Sequence, residues 1–208
     1  MDLTELPKEL KAKNNYIYLL DIIDHFSKYG ISIPLENKEA NTVFKNLKTA
    51  LECNGFPEEP GSDNGKEFKN KILEKYLKEK NIKFVHGLPY NPHSQGVVER
   101  FEKTVKDHLY SVYCDDIESF DILKALDTVV KKYNNHVHST TKYTPNQIFY
   151  SNDENLFKTV LENMKNSFKN INNNNINFQN NEKSLLKTKF KIKKISKIPV
   201  QEFWNTIN

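Results

Sequence analysis

Three carboxylates stand in local settings unlike those of the other acids in this 208-residue chain. Asp2 lies in MDLT, Asp63 in the turn-forming stretch SDNG, and Glu99 follows the loop GLPYNPHSQG near the start of a long amphipathic run. Thirty-five residues separate Asp63 from Glu99, and 60 separate Asp2 from Asp63. Carboxylates drawn together from distant segments repel one another and raise one another's pKa unless a cation neutralises them. A hard divalent ion such as Mg²⁺ takes oxygen ligands, and a pair of ions about 3.5–4 Å apart serves phosphoryl transfer. Each acid also has an ordinary reading. Asp63-Asn64-Gly65 alone is a turn with a helix cap, Glu99 alone favours a first helical turn, and Asp2 alone is a terminal charge.

The elements that must position these acids follow from patterning. Residues 16–24, YIYLLDIID, and the following YGISIPL read as two strands joined tightly at His25-Phe26-Ser27-Lys28, the second ending near Pro34. Asn37 can cap a helix from Lys38, with Ala40, Val43, Phe44, Leu47 and Leu51 in one stripe and Gly55-Phe56-Pro57 as its stop. A second helix is expected over Lys66 to Lys80, and a short strand at Ile82–Val85. Residues 87–96 read as a loop. A long helix from Ser94 or Val97 to Tyr113 buries Val98, Phe101, Val105 and Leu109. Another covers Ile117 to Tyr133, and Thr144-Pro145 opens a short last one. FPEEPG suits a buried strand badly, because it carries two charges and lacks a donor. Together these elements make an α/β domain over residues 1–150.

Beyond Tyr150, residues 151–170 can extend the domain as helix. Twelve of the 27 asparagines fall within residues 152–181, which makes INNNNINFQNN a linker. Residues 182–208 carry seven lysines against two glutamates, so the whole-chain net charge of +4 resides in this tail. Nucleic acid suits such a tail, as does a merely solvated extension. Its partial alternation, LLKTKFKIKKISKIPV, is compatible with a strand. No apolar run is long enough for a membrane span, and the N-terminus lacks the pattern of a secretory signal. Cys53 and Cys114 are too few for a disulfide framework, which points to a reducing, intracellular setting.

Five words of the chain, DLT at 2–4, IIDHFSKY at 22–29, SDNGKEF at 62–68, YNPHSQGVVERFEKTVK at 90–106 and YNNHVHSTTKYTPNQIFY at 133–150, resemble the catalytic core of retroviral and long-terminal-repeat retrotransposon integrases. That resemblance implies a ribonuclease-H-like fold, a mixed sheet flanked by helices. It carries the family's metal-binding triad onto Asp2, Asp63 and Glu99, with Mg²⁺ or Mn²⁺ as cofactor. It implies DNA strand transfer and 3′-end processing, with Tyr90, Gln95, Lys103 and Lys106 binding DNA. Lys103 and Lys106 share a helix face with Glu99 at i+4 and i+7. A homodimer or larger assembly and a nuclear location are implied in the same way. Asp24, His25 and Ser27 match a structural word that closes the turn between strands. For Arg100 a salt bridge and a phosphate contact are both open, and His136 and His138 suit packing or capping. The family's zinc module has no counterpart, and the chain starts one residue before Asp2, which reads as a truncated copy. An inactive nucleic-acid-binding remnant and a ribonuclease H-like nuclease are the alternatives.

Overall fold

The computed structural model describes residues 1–57, 59–62, 65–86, 92–171 and 190–191. The chain opens with β1 (Asp2–Glu5), a short helix α1 (Lys8–Lys11), β2 (Tyr18–Ile23) and β3 (Gly30–Leu35). These three strands form an antiparallel sheet in the order β1-β2-β3. The β2–β3 connection is closed by Asp24, as expected: its Oδ2 accepts from the Ser27 amide at 2.7 Å and from the Ser27 hydroxyl. Lys28 takes the left-handed backbone conformation, φ 65°, that turns the chain into β3.

Side-chain alternation on β2 sends Leu20 and Ile22 to one face and Leu19, Asp21 and Ile23 to the other. The first face is covered by α2 (Ala40–Asn54) and, further on, α3 (Lys71–Glu79), through Val43, Leu47, Leu73 and Leu77. The second is covered by α4 (Pro92–Asp115) and α5 (Ile122–Asn135), through Val98, Phe101, Val105, Leu109, Leu126 and Val129. Each fully buried side chain of this kind contributes about 1.5–3 kcal/mol. A mixed α/β architecture with helices on both faces of a small sheet is the ribonuclease-H-like arrangement expected.

Between α2 and α3 the chain forms two two-residue strands, β4 (Phe56–Pro57) and β5 (Gly61–Ser62). Among the described residues of the charged, proline-bearing FPEEPG stretch, Phe56–Pro57 and Gly61 at its two ends are the ones in strands. β5 pairs in parallel with β6 (Val85–His86), and the α-amino group of Met1 donates to the Gly61 carbonyl at 2.9 Å, tying β1 to β5. The chain then adds α6 (Pro145–Phe149), α7 (Glu154–Ile171) and β7 (Phe190–Lys191). α7 seats Val160 and Met164 against Phe26 and Ile148. β7 pairs antiparallel with β4, so these two residues of the tail do act as a strand. The rest of the tail and the asparagine-rich linker lie outside the described residues.

Several helix starts differ from the periodicity reading, each for a capping reason. α3 begins at Lys71 rather than Lys66, because the Asn70 side chain accepts from the Leu73 amide at 2.8 Å while buried Phe68 anchors the turn before it. α5 begins at Ile122 rather than Ile117, because Asp121 accepts from the Leu123 and Lys124 amides. α2 begins at Ala40; Asn37 accepts from the Glu39 amide, one residue short of capping the helix. α4 begins at Pro92, inside the stretch read as loop, since proline suits a first helical position. α6 has the expected start with a complete capping box between Thr144 and Gln147.

Candidate metal and nucleic-acid site

The apolar stripe of α4 decides which of its polar side chains look inward. With about 100° per residue, Glu99 and Lys103 fall on the solvent side and are exposed, as is Arg100. Glu102 lies about 60° from Glu99 toward the stripe, and only 9% of it is exposed. Lys106, four residues further on, is half-buried, and its Nζ donates to the Thr4 hydroxyl on β1 at 2.6 Å.

Beneath this helix the strand register sets three polar side chains in a row. Asp2 on β1 is opposite Asp21 on β2, which is opposite Ser32 on β3. Asp2 and Asp21 share the sheet face with Thr4 and Leu19, the face covered by α4. The backbone amide of Leu3 donates to Asp2 Oδ1 at 2.7 Å. The Glu102 carboxyl hydrogen-bonds the Asp2 carboxyl. Asp21 is fully buried, and neither of its oxygens has a hydrogen bond of good geometry; Ser32 faces it across the strand pair without closing one.

Burial pushes Asp21 up to about 7 and the charge of Asp2 adds to this, while Ser32, Lys106 and the Met1 amine pull it down. Glu102 is also raised, chiefly by burial and then by Asp2 and Asp21, with Lys106 opposing. Three carboxyl groups thus line the sheet–α4 interface, with Lys106 and the Met1 amine acting on them. Carboxylate oxygens are the donors a hard divalent ion selects, and the Glu102 Oε1 and both Asp21 oxygens lie buried with no partner. The donor set fits such an ion, although among the described residues no three acidic, histidine or cysteine side chains stand close enough to hold one together.

Of the residues singled out by sequence, Asp2 and Lys106 come together here, and Glu99 and Lys103 lie on the exposed side of the same helix. Asp63 follows directly after β5 and, with Tyr90 and the side chain of Gln95, lies outside the described residues. Glu102 was not among those singled out, and Asp21, conspicuous in the sequence, lacks the pairing distance of the family pattern that the resemblance implies. The signals were an aspartate interrupting the buried strand YLLDII, and a glutamate at i+3 from Glu99 and i−4 from Lys106. His138 has the capping role expected, its Nδ1 accepting from the Thr140 amide at 3.2 Å.

Comparison with known proteins adds an independent line. Residues 1–92 match the family model described as integrase core domain. The Gag-Pol polyprotein of Avian reticuloendotheliosis virus is 32% identical over 108 residues, 51% of this chain and 9% of that protein. The retrovirus-related Pol polyprotein from transposon 412 of Drosophila melanogaster is 28% identical over 149 residues, 71% of this chain and 12% of its own length. The chain therefore spans about a tenth of these curated relatives. Among solved structures, the catalytic core domain of BIV integrase superposes with a TM-score of 0.55 at 26% identity, covering 63% of this chain and 84% of that one. An intasome of simian T-cell lymphotropic virus, in complex with PP2A regulatory subunit B56 gamma, gives 0.61 at 23% identity, covering 66% and 49%.

Proposed function

Because part of this chain is an integrase-catalytic-core domain of ribonuclease-H-like fold, related to the integrase regions of retroviral and retrotransposon Pol polyproteins, we propose that it carries out divalent-metal-dependent phosphoryl transfer on DNA. The two steps are trimming of a 3′ end by water and attack of the new 3′-hydroxyl on target DNA. The observation that carries this reading is the meeting of Asp2 on β1 with Glu102 of α4 in a buried interface, beside which the Met1–Gly61 hydrogen bond holds β5.

In this reading Asp2, Asp63 and Glu99 hold Mg²⁺ or Mn²⁺. Bound as a pair, such ions supply activation of the attacking oxygen and stabilisation of the leaving one. The remaining work belongs to the chain's own side chains. Lys103, exposed on the Glu99 side of α4, takes a DNA phosphate, and Tyr90 and Gln95 orient the strand end from the preceding segment. Lys106 is shared between the Thr4 hydroxyl and the carboxylates, so it holds the site together from within and presents less charge to DNA. Two or more copies assemble on the DNA, and the working location is the nucleus.

The test is nicking and strand transfer on an end-labelled duplex with Mg²⁺ or Mn²⁺. Asp63→Asn should lower both activities by about 10²-fold or more. Activity unchanged in that variant would remove Asp63 from the site. DNA binding without any metal-dependent cleavage in the unaltered chain would favour an inactive nucleic-acid-binding remnant.

A further inference from the structure

The acid that α4 presents to Asp2 is Glu102, one turn further along the helix than Glu99 and on its buried side. We propose that Glu102 is itself a ligand of the divalent cation held by Asp2, an additional carboxylate of the metal site, with Asp21 as the buried negative charge behind the pair. This rests on the reading of the Asp2 site as metal-dependent and extends it to residues outside the triad.

Four observations support the assignment. The strand register places Asp2 and Asp21 side by side on the face that α4 covers. The helix turns Glu102 and Lys106, at i and i+4, down onto that face. Glu102 Oε1 and both oxygens of Asp21 are buried without a partner. A buried oxygen that has lost water and gained no donor calls for an explanation, and a cation is one that satisfies it. Finally, Lys106 and the Met1 amine are the positive groups that act on these three carboxyl groups, fewer than full ionisation of all three away from water would call for.

The chemistry of the ion makes two carboxylates sufficient. Mg²⁺ keeps several of its waters and is commonly bound through one or two carboxylates together with substrate phosphates. The contact between Asp2 and Glu102 therefore meets the requirement without a third protein ligand. A structural alternative has Glu102 protonated and donating its hydrogen bond to Asp2. Glutamine would reproduce that donor but would be a far weaker cation ligand, which separates the two roles.

The experiment measures Mn²⁺ binding to the full chain by electron paramagnetic resonance, for the unaltered protein and for Glu102→Gln, Glu102→Asp, Glu99→Gln and Asp63→Asn. Glu102→Gln should weaken binding by about tenfold or more, with Glu102→Asp recovering part of the loss. Thermal midpoints give a second readout that does not depend on catalysis. In a chelating buffer Glu102→Gln should be at least as stable as the unaltered chain, because one repelling charge is gone. On adding Mn²⁺ the unaltered chain should gain more than the variant. Glu102→Gln binding Mn²⁺ like the unaltered chain would overturn the proposal and leave Glu102 a hydrogen-bond donor. If Asp63→Asn loses binding while Glu102→Gln keeps it, this inference alone fails. If Glu102→Gln loses binding while Asp63→Asn keeps it, Glu102 stands and the role of Asp63 falls. An unaltered chain that binds no Mn²⁺ overturns both.

Discussion

A histidine that accepts a backbone hydrogen bond at Nδ1 must give up that bond when the same nitrogen is protonated. His138 is in this position toward the Thr140 amide. Burial lowers its pKa to about 4, and the charges of Lys28, Arg100 and His136 push the same way. The unfolded chain binds this proton near pH 6.5, the folded chain only near pH 4. Between those values the unfolded state holds more protons, so stability rises with pH and is lost as pH falls through the window. Urea unfolding of the unaltered chain should lose about 1–2 kcal/mol from this group between pH 7 and 4.5, after allowance for solvent screening. His138→Gln should flatten the profile there. An unchanged slope would show that His138 is already charged in the folded protein.

At the scale of elements, the placement of α4 depends on a contact that no local pattern announces. Gly30, the first residue of β3, receives the Phe101 ring so closely that a Cβ there would lie 2.3 Å from a ring carbon. The Asn134 side chain of α5 grips the same residue, accepting from its amide at 2.9 Å and donating to its carbonyl at 2.8 Å. Phe101 lies two residues after Glu99 and one before Glu102, so this lock sets the rotation of the acid-bearing helix. Asn134→Ala leaves two buried backbone groups unpaired and should cost about 2–4 kcal/mol in thermal or urea unfolding. Asn134→Asp keeps the acceptor for the amide but loses the donor, and should fall between the two. Thr144→Ala, which removes the capping box of α6, should cost about 1 kcal/mol. A loss as small for Asn134→Ala would mean that the packing of Phe101 holds α4 without the amide lock.

At the scale of the whole molecule, charge and fold are separated along the chain. The acids meet between β1, β2 and α4, while the lysine excess lies in residues 182–208, of which Phe190–Lys191 pairs with β4. If the tail contributes to DNA binding, deleting residues 182–208 should weaken affinity for a duplex and make the slope of log affinity against log salt shallower. Equal affinity and slope with and without the tail would leave binding to the core. The helices and the turn at Asp24 were legible in the sequence, because a stripe at 3.6-residue spacing or a proline start acts over a few neighbours, although the cap read at Asn37 was not one. So were the five words that mark Asp2, Asp63 and Glu99, since their order and spacing survive in one dimension. The pairing of Asp2 with Asp21 was not, because strand register is a contact between segments whose partners the alternation alone does not name. Nor was the choice of Glu102 over Glu99 as the acid that meets Asp2. Both sit on one amphipathic helix, and a rotation of about 60°, set by Gly30 and Asn134 on other elements, separates the buried carboxyl from the solvated one.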